Sequence, residues 1–352
     1  MADIGKDPPP PSVQLDPEPR PAARTDSSEA TIAFEDNRLL SIVCGYFDQN
    51  IARVERRLGV AIHSNGNRVT IKGSPVSVES ARSVLSALYA RAQSGEAFAL
   101  GDIDGAIEEA AAQGTLFNEP AAHPSFEQIV TRKKGYVRAR NLAQSNYLKA
   151  LKRYELVFAE GPAGTGKTWL AVGHAVTLLE QGVVERVIIS RPAVEAGERL
   201  GFLPGDMREK VDPYLRPVYD ALYDFMDARH VERGLQTGMI EVAPLAFMRG
   251  RTLSNACILL DEAQNTTSAQ MKMFLTRLGE GSRMIVNGDS SQIDLPLGQK
   301  SGLAEAVRLT AAVEGIGHIT FSEADVVRHE LVRKIVRAYE DQADAPAGRR
   351  PL

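Results

Sequence analysis

From residue 136 onward the chain alternates short apolar runs with longer amphipathic stretches. The runs are Leu156-Val157-Phe158-Ala159, Arg186-Val187-Ile188-Ile189, Ile240-Glu241-Val242, Cys257 to Leu260, Met284-Ile285-Val286 and His318-Ile319-Thr320-Phe321. Near-continuous apolar runs of this length suit strands buried on both faces. Helical stretches lie between most of them, so the pattern predicts an α/β fold: a parallel sheet with helices on both faces.

The region 29–94 has a different rhythm. Thr31-Ile32-Ala33-Phe34 predicts a short strand and Asn37 to Cys44 a helix. Ile51, Val54 and Leu58 fall on one face of a second helix, which Gly59 can close in a left-handed conformation. Val60 to His63 and Val69 to Ile71 flank Asn65-Gly66-Asn67, a strong hairpin signal. Gly73-Ser74-Pro75 then opens a helix with Val78, Ala81, Leu85 and Leu88 on its apolar face. The predicted order is βααββα, a small α+β module.

Residues 1–28 form a proline-rich tail, with Pro8 to Pro11 consecutive and few large apolar side chains. Such a segment buries too little surface to offset its ordering entropy and is expected to be disordered. Residues 341–352 read the same way. Residues 95–135 read as a linker, with one helix over Asp104 to Ala112 and a break at Asn118-Glu119-Pro120. The main domain is expected over 136–340.

The 352 residues carry 41 basic and 45 acidic side chains, a net charge of −4, which excludes a protein that holds nucleic acid by bulk positive charge. Cys44 and Cys257 both lie in apolar runs, so buried reduced thiols are expected and no Cys/His metal spacing exists. No run approaches the ~18 apolar residues of a membrane span, and the N-terminus lacks the apolar centre of a signal peptide. A cytoplasmic location without membrane association is the expectation.

The chemistry begins at Gly161-Pro162-Ala163-Gly164-Thr165-Gly166-Lys167-Thr168, which fits G-x-x-x-x-G-K-[ST]. Its glycines let backbone amides turn inward around phosphate oxygens, and the following helix points its positive end at the same anion. Lys167 would reach the β and γ phosphates of ATP, and the Thr168 hydroxyl would ligate Mg²⁺. The loop follows one predicted strand and precedes a helix, as this function requires.

A second element is Asp261-Glu262, delivered by the apolar run Cys257 to Leu260. Ligand sites of open α/β sheets lie at the C-terminal strand edge. Asp261 is placed to hold Mg²⁺, and Glu262 to polarise the attacking water. A third is Val286-Asn287-Gly288-Asp289-Ser290-Ser291-Gln292, where Asn287, Asp289 or Gln292 could sense the γ-phosphate. An ordinary Asn-Gly-Asp turn is the plain alternative.

A transition-state arginine is expected as well, with Arg328 and Arg191 as the two choices. Gln144 could read adenine through its amide, or be a solvated helix residue. Around it Arg132, Lys133, Lys134, Arg138, Arg140, Lys149, Lys152 and Arg153 form a stretch without an acid. That stretch is either a solvated face or a patch for RNA phosphates.

These residues together resemble the PhoH-like ATPases. The likeness rests on the phosphate loop, Arg191-Pro192-Ala193-Val194-Glu195-Ala196-Gly197-Glu198, Leu200-Gly201-Phe202-Leu203-Pro204-Gly205-Asp206, Asp261-Glu262-Ala263-Gln264-Asn265 and Val327-Arg328-His329, and covers about 29–340. It implies a RecA-like P-loop NTPase core similar to that of superfamily 1 helicases. It implies Gln144 at the adenine, Gly288-Asp289-x-x-Gln292 as a helicase-like third motif, and Arg328 as the arginine finger.

The N-terminal order resembles a KH-type module, whose GxxG loop clamps a nucleic-acid backbone. The matching segment is Gly45-Tyr46-Phe47-Asp48; a carboxylate replaces the second glycine and would repel phosphate. RNA binding and a purely structural module both remain open readings. Relatives with this module are linked to ribosomal RNA maturation beside an endoribonuclease partner and tend to form rings. The resemblance thus implies a homo-oligomeric ring, expected to be a hexamer, in which a neighbour supplies the second wall of the site.

Two functional readings follow. One is a Mg²⁺-dependent ATPase, extending to RNA helicase-like activity, that remodels single-stranded or structured RNA or ribonucleoprotein. The other is a nucleotide-switched protein-binding module with little turnover. A kinase is weaker, since no second-substrate pocket or lid is recognisable.

Overall fold

A computed structural model of the chain describes residues 27–96, 98–114, 126–192, 207–296, 298–327, 332 and 335. Residues 1–26, the C-terminal tail, the break at 118–120, the motif residues 193–198 and 200–206, and Arg328 lie outside the described residues, while Ser28, expected in the tail, opens the first strand.

The N-terminal unit runs β1 (Ser28–Ala33), α1 (Asn37–Cys44), α2 (Gln49–Leu58), β2 (Ala61–Asn65), β3 (Arg68–Gly73) and α3 (Pro75–Gln93). Its antiparallel sheet has the order β1-β3-β2. Asp36 caps α1 by accepting from the Arg38 amide, Ser74 caps α3, and Gly59 closes α2 in the left-handed region. The hairpin turns at Asn65-Gly66-Asn67-Arg68, with Asn65 opposite Arg68. The elements appear in the expected βααββα order.

The stretch 95–135 is more than a connector. Helix α4 (Leu100–Gly114) puts Ile103, Ala106, Ile107 and Ala110 into the same core as α2 and α3. The bidentate Arg53–Asp104 pair, at 2.7 and 2.8 Å, fixes it to α2. The hairpin β4 (Gln128–Thr131) and β5 (Gly135–Arg138) instead gives Ile129 and Val137 to the core of the C-terminal unit. The helix expected over Asp104 to Ala112 lies within α4, but neither its docking on the N-terminal core nor the hairpin follows from composition, because these apolar residues face partners remote in sequence.

The C-terminal unit holds six parallel strands: β6 (Leu156–Glu160), β7 (Arg186–Arg191), β8 (Ile240–Pro244), β9 (Ala256–Leu260), β10 (Arg283–Gly288) and β11 (Ile316–Thr320). Their order is β11-β6-β10-β9-β7-β8. All six apolar runs became strands. Alternate residues feed two cores. Val157, Ala159, Ile189, Leu259 and Ile285 pack under α5 (Leu142–Arg153), α6 (Lys167–Glu180) and α7 (Met207–Phe225). Phe158, Ile188, Ile258, Leu260 and Val286 pack under α9 (Ser268–Leu275) and α10 (Gly302–Thr310). Helix α8 (Ala228–Thr237) backs the edge strand β8.

This is a RecA-like P-loop NTPase sheet preceded by a small α+β unit. Strands β6, β7, β9 and β10 all end at one edge, which brings the loop after β6 beside Arg191, Asp261 and Gly288. Among the described residues no helix is long and apolar enough to cross a membrane.

Candidate nucleotide site

The loop between β6 and α6 is shaped by three glycines with positive φ: Gly161 at 146°, Gly164 at 83° and Gly166 at 89°. At Gly161 a Cβ would stand 2.4 Å from the Phe321 carbonyl oxygen, so no side chain fits. The Gly161 amide donates to the Gly288 carbonyl at 3.1 Å, which ties the start of the loop to β10. The chain then enters α6 at Lys167, as an anion cradle at a helix N-terminus requires.

The Lys167 ammonium turns back over this loop. It donates to the carbonyls of Gly161 at 2.6 Å and Pro162 at 2.8 Å. The side chain is buried, and burial lowers its pKa while Asp289, Asp261 and Glu262 oppose that shift. The charge is thus held inside a cavity of about 410 Å³ rather than in bulk solvent.

Thr168 and Asp261 meet across the cavity floor. The Thr168 hydroxyl donates to Asp261 Oδ1 at 2.7 Å. Asp261 Oδ2 accepts from Arg191 Nε at 2.9 Å and from Arg191 Nη2. Arg191 also stands 3.6 Å from Glu262. The Asp261 side chain is 3% exposed and that of Glu262 43%, so one carboxylate is built in and the other faces the cavity.

Glu262 adopts φ 55°, ψ 38°, a left-handed conformation that a non-glycine residue holds at a cost. Gln264, 1% exposed, supports it. Its Nε2 donates to Glu262 Oε2 at 2.7 Å and to the Gln292 carbonyl at 3.1 Å, and its Oε1 accepts from the Asp289 amide at 3.0 Å. Asp289 in turn accepts from the Ala163 amide at 3.0 Å, joining the end of β10 to the phosphate loop. Gln264 was named in the sequence only as part of a motif. Its spacing from Glu262 carried no signal of this hub; only the short turn after β9 aims it inward.

Other expected residues fall differently. Gln292 is exposed on the cavity wall. Asn287 is wholly buried, its Oδ1 accepting from the Tyr147 hydroxyl at 2.8 Å, and it does not line the cavity. Gln144 is 4% exposed and borders the loop, yet both ends of its amide are engaged. Oε1 accepts from the Arg140 amide at 2.8 Å and Nε2 donates to the Thr165 carbonyl at 2.9 Å. In this conformation it braces the loop, and its amide is not presented to a base. Arg328 lies outside the described residues.

Four of the eight cations in the acid-free stretch pair with acids. Lys134 pairs with Asp224 at 3.5 Å, Arg138 with Glu96 at 3.7 Å and Arg140 with Asp102 at 3.7 Å. Lys152 pairs with Glu127, and Lys133 donates to the Tyr223 carbonyl. Folding brings acids from elsewhere in the chain onto these cations. In the N-terminal unit the segment Gly45 to Asp48 joins α1 to α2, with Phe47 at φ 50°, Asp48 at φ 57°, and Tyr46 and Phe47 exposed.

The residues present fit a hard divalent cation. A hydroxyl and a carboxylate converge at the mouth of an anion cradle, and the guanidinium on Asp261 shows that the pocket already accommodates positive charge. Among the described residues no group of three or more His, Cys, Asp or Glu could hold a metal alone. That suits Mg²⁺, which is usually shared between one or two carboxylates and substrate phosphates.

Residues 136–340 match the family model described as PhoH-like protein. A PhoH-like protein of Bacillus subtilis (strain 168) is 49% identical over 299 residues, covering 85% of this chain and 93% of that one. A PhoH-like protein of Mycobacterium tuberculosis (strain ATCC 25618 / H37Rv) is 47% identical over 304 residues, 86% of each chain. Protein PhoH of Escherichia coli (strain K12) is 50% identical over 203 residues, 57% of each chain. The family match spans every residue that lines the cavity, from the phosphate loop through α7 to the end of β10 and the turn beyond it, and with it this P-loop NTPase chain belongs to the PhoH-like protein family.

Proposed function

We propose that the protein is a Mg²⁺-dependent ATPase that couples hydrolysis to remodelling of RNA or ribonucleoprotein. The observation that carries the enzymatic half is the buried Lys167 ammonium within the glycine loop, facing the Thr168–Asp261 contact and the exposed Glu262 carboxylate. The amides after Gly161 and the Lys167 charge bind the β and γ phosphates. Thr168 and Asp261 would hold Mg²⁺, which when bound neutralises phosphate charge.

Glu262 orients the attacking water and takes its proton; Gln264 holds that carboxylate in place. Asp289 and Gln292, linked through Gln264, sit where the presence of a γ-phosphate can be passed to β10 and the loop beyond. Gln144 and Asn287 act as braces behind the loop. Arg328 remains the residue proposed to complete the site, supplied by a neighbouring copy in a ring.

The RNA half draws on the family resemblance and on the KH-like order of the N-terminal unit. An ATPase assay of wild type and Glu262→Gln, with and without single-stranded RNA at low salt, tests both halves. Glu262→Gln should lower turnover by roughly 10²–10⁴-fold while nucleotide still binds. RNA that neither binds nor changes the rate would remove the RNA half. Mass measurement of the assembly tests the ring.

A further inference from the structure

Arg191 ends β7, and β7 lies directly beside β9, with Ser190 opposite Leu260. That register carries the guanidinium to the first residue after β9, which is Asp261. Both carboxylate oxygens of Asp261 are thereby engaged: Oδ1 by the Thr168 hydroxyl at 2.7 Å and Oδ2 by two nitrogens of Arg191. The Asp261 side chain is 3% exposed, so little water remains to share it.

A buried carboxylate needs a compensating positive charge, and here the chain supplies its own. A divalent cation taking an Asp261 oxygen would add two positive charges against the guanidinium at contact range. In a poorly hydrated pocket that repulsion is strong. The two cations therefore cannot both be held well by one carboxylate.

We propose that Arg191 is a stand-in for the metal: it occupies the carboxylate of Asp261 in the nucleotide-free protein, and Mg²⁺ arriving with a nucleotide must displace it. This rests on the nucleotide reading above and deepens it. Arg191 is a positioning residue in this account. Its release is coupled to cation binding, and Glu262, 3.6 Å from the guanidinium in the paired position, is the carboxylate it can turn to.

The test uses the full-length protein saturated with ADP, which has no γ-phosphate for Arg191 to reach. Bound Mn²⁺, replacing Mg²⁺, is read by electron paramagnetic resonance. Half-saturating Mn²⁺ should fall about tenfold in Arg191→Gln, a coupling in the usual range between linked sites. Arg191→Lys keeps the charge but loses the planar fork, and should shift severalfold in the same direction. Arg251→Gln, which removes a charge that is paired with Glu241 and does not line the cavity, should match wild type.

An unchanged or raised half-saturation in Arg191→Gln overturns the competition. So does a wild-type value in a folded Arg191→Lys, which would reduce the effect to a general field. Failure of ADP to bind wild type, with or without Mn²⁺, brings down the nucleotide reading and this inference with it.

Discussion

The Thr168 hydroxyl donates to Asp261 Oδ1 at 2.7 Å across a sequence separation of 93 residues. One partner opens α6 and the other follows β9, so the contact exists only because two strands of one sheet end at the same edge. It places a neutral oxygen beside a carboxylate where a hard cation would sit.

Replacing that hydroxyl should separate cation from nucleotide binding. Thr168→Val keeps the branched shape and loses the oxygen. Calorimetry in the presence of a chelator should find nucleotide affinity within about threefold of wild type, while the gain on adding Mg²⁺ disappears and turnover falls roughly 100-fold. A variant that retains the Mg²⁺ gain would mean that the hydroxyl does not share the cation.

Gln264 should act on rate more than on binding. Its amide joins Glu262, the Asp289 amide and the Gln292 carbonyl, none of which it can replace in phosphate binding. Gln264→Ala should lower kcat roughly 10- to 100-fold with KM for ATP within about threefold. Stranding the buried Asp289 amide should also cost about 1–3 kcal/mol in urea unfolding. Equal losses in kcat and affinity would instead mean that the cradle itself collapsed.

His174 gives the fold a pH signature. Burial, aided by the charge of Lys152, pushes its imidazole down from 6.5 to about 4, and its Nε2 is among the buried atoms without a partner. A depressed folded pKa means that only the unfolded chain takes the proton between these values. The stability is therefore fully present above pH 6.5 and drains away as pH falls toward 4. The difference of about 2.5 units corresponds to about 3 kcal/mol. Urea melts of wild type and His174→Gln across this range should show their stability gap shift by about this amount against wild type at low pH. A gap that stays constant would show that the imidazole protonates freely in the folded protein.

Much of this molecule was legible locally. The apolar runs became β6 to β11 because residues buried on both faces need no alternation to declare themselves. The glycine loop, Lys167 and Thr168 are contiguous, and their conformation follows from the glycines they contain. Asp261 and Glu262 could be placed at the site because a buried strand must release its polar residues at its end. Ser74 and Gly59 marked helix ends through the backbone groups they satisfy.

The amino-acid order by itself determined the strands β6 to β11, the phosphate loop and the carboxylates at the sheet edge, since each depends on neighbours along the chain. Only the tertiary structure decided that α4 belongs to the N-terminal core, that four of the eight cations in the acid-free stretch pair with Glu96, Asp102, Glu127 and Asp224, that Gln144 braces the loop, and that Arg191 lies on Asp261. Those outcomes depend on which strands and helices become neighbours. Charge pairing and amide direction are set by distance in space, and a one-dimensional pattern records periodicity and burial but not adjacency.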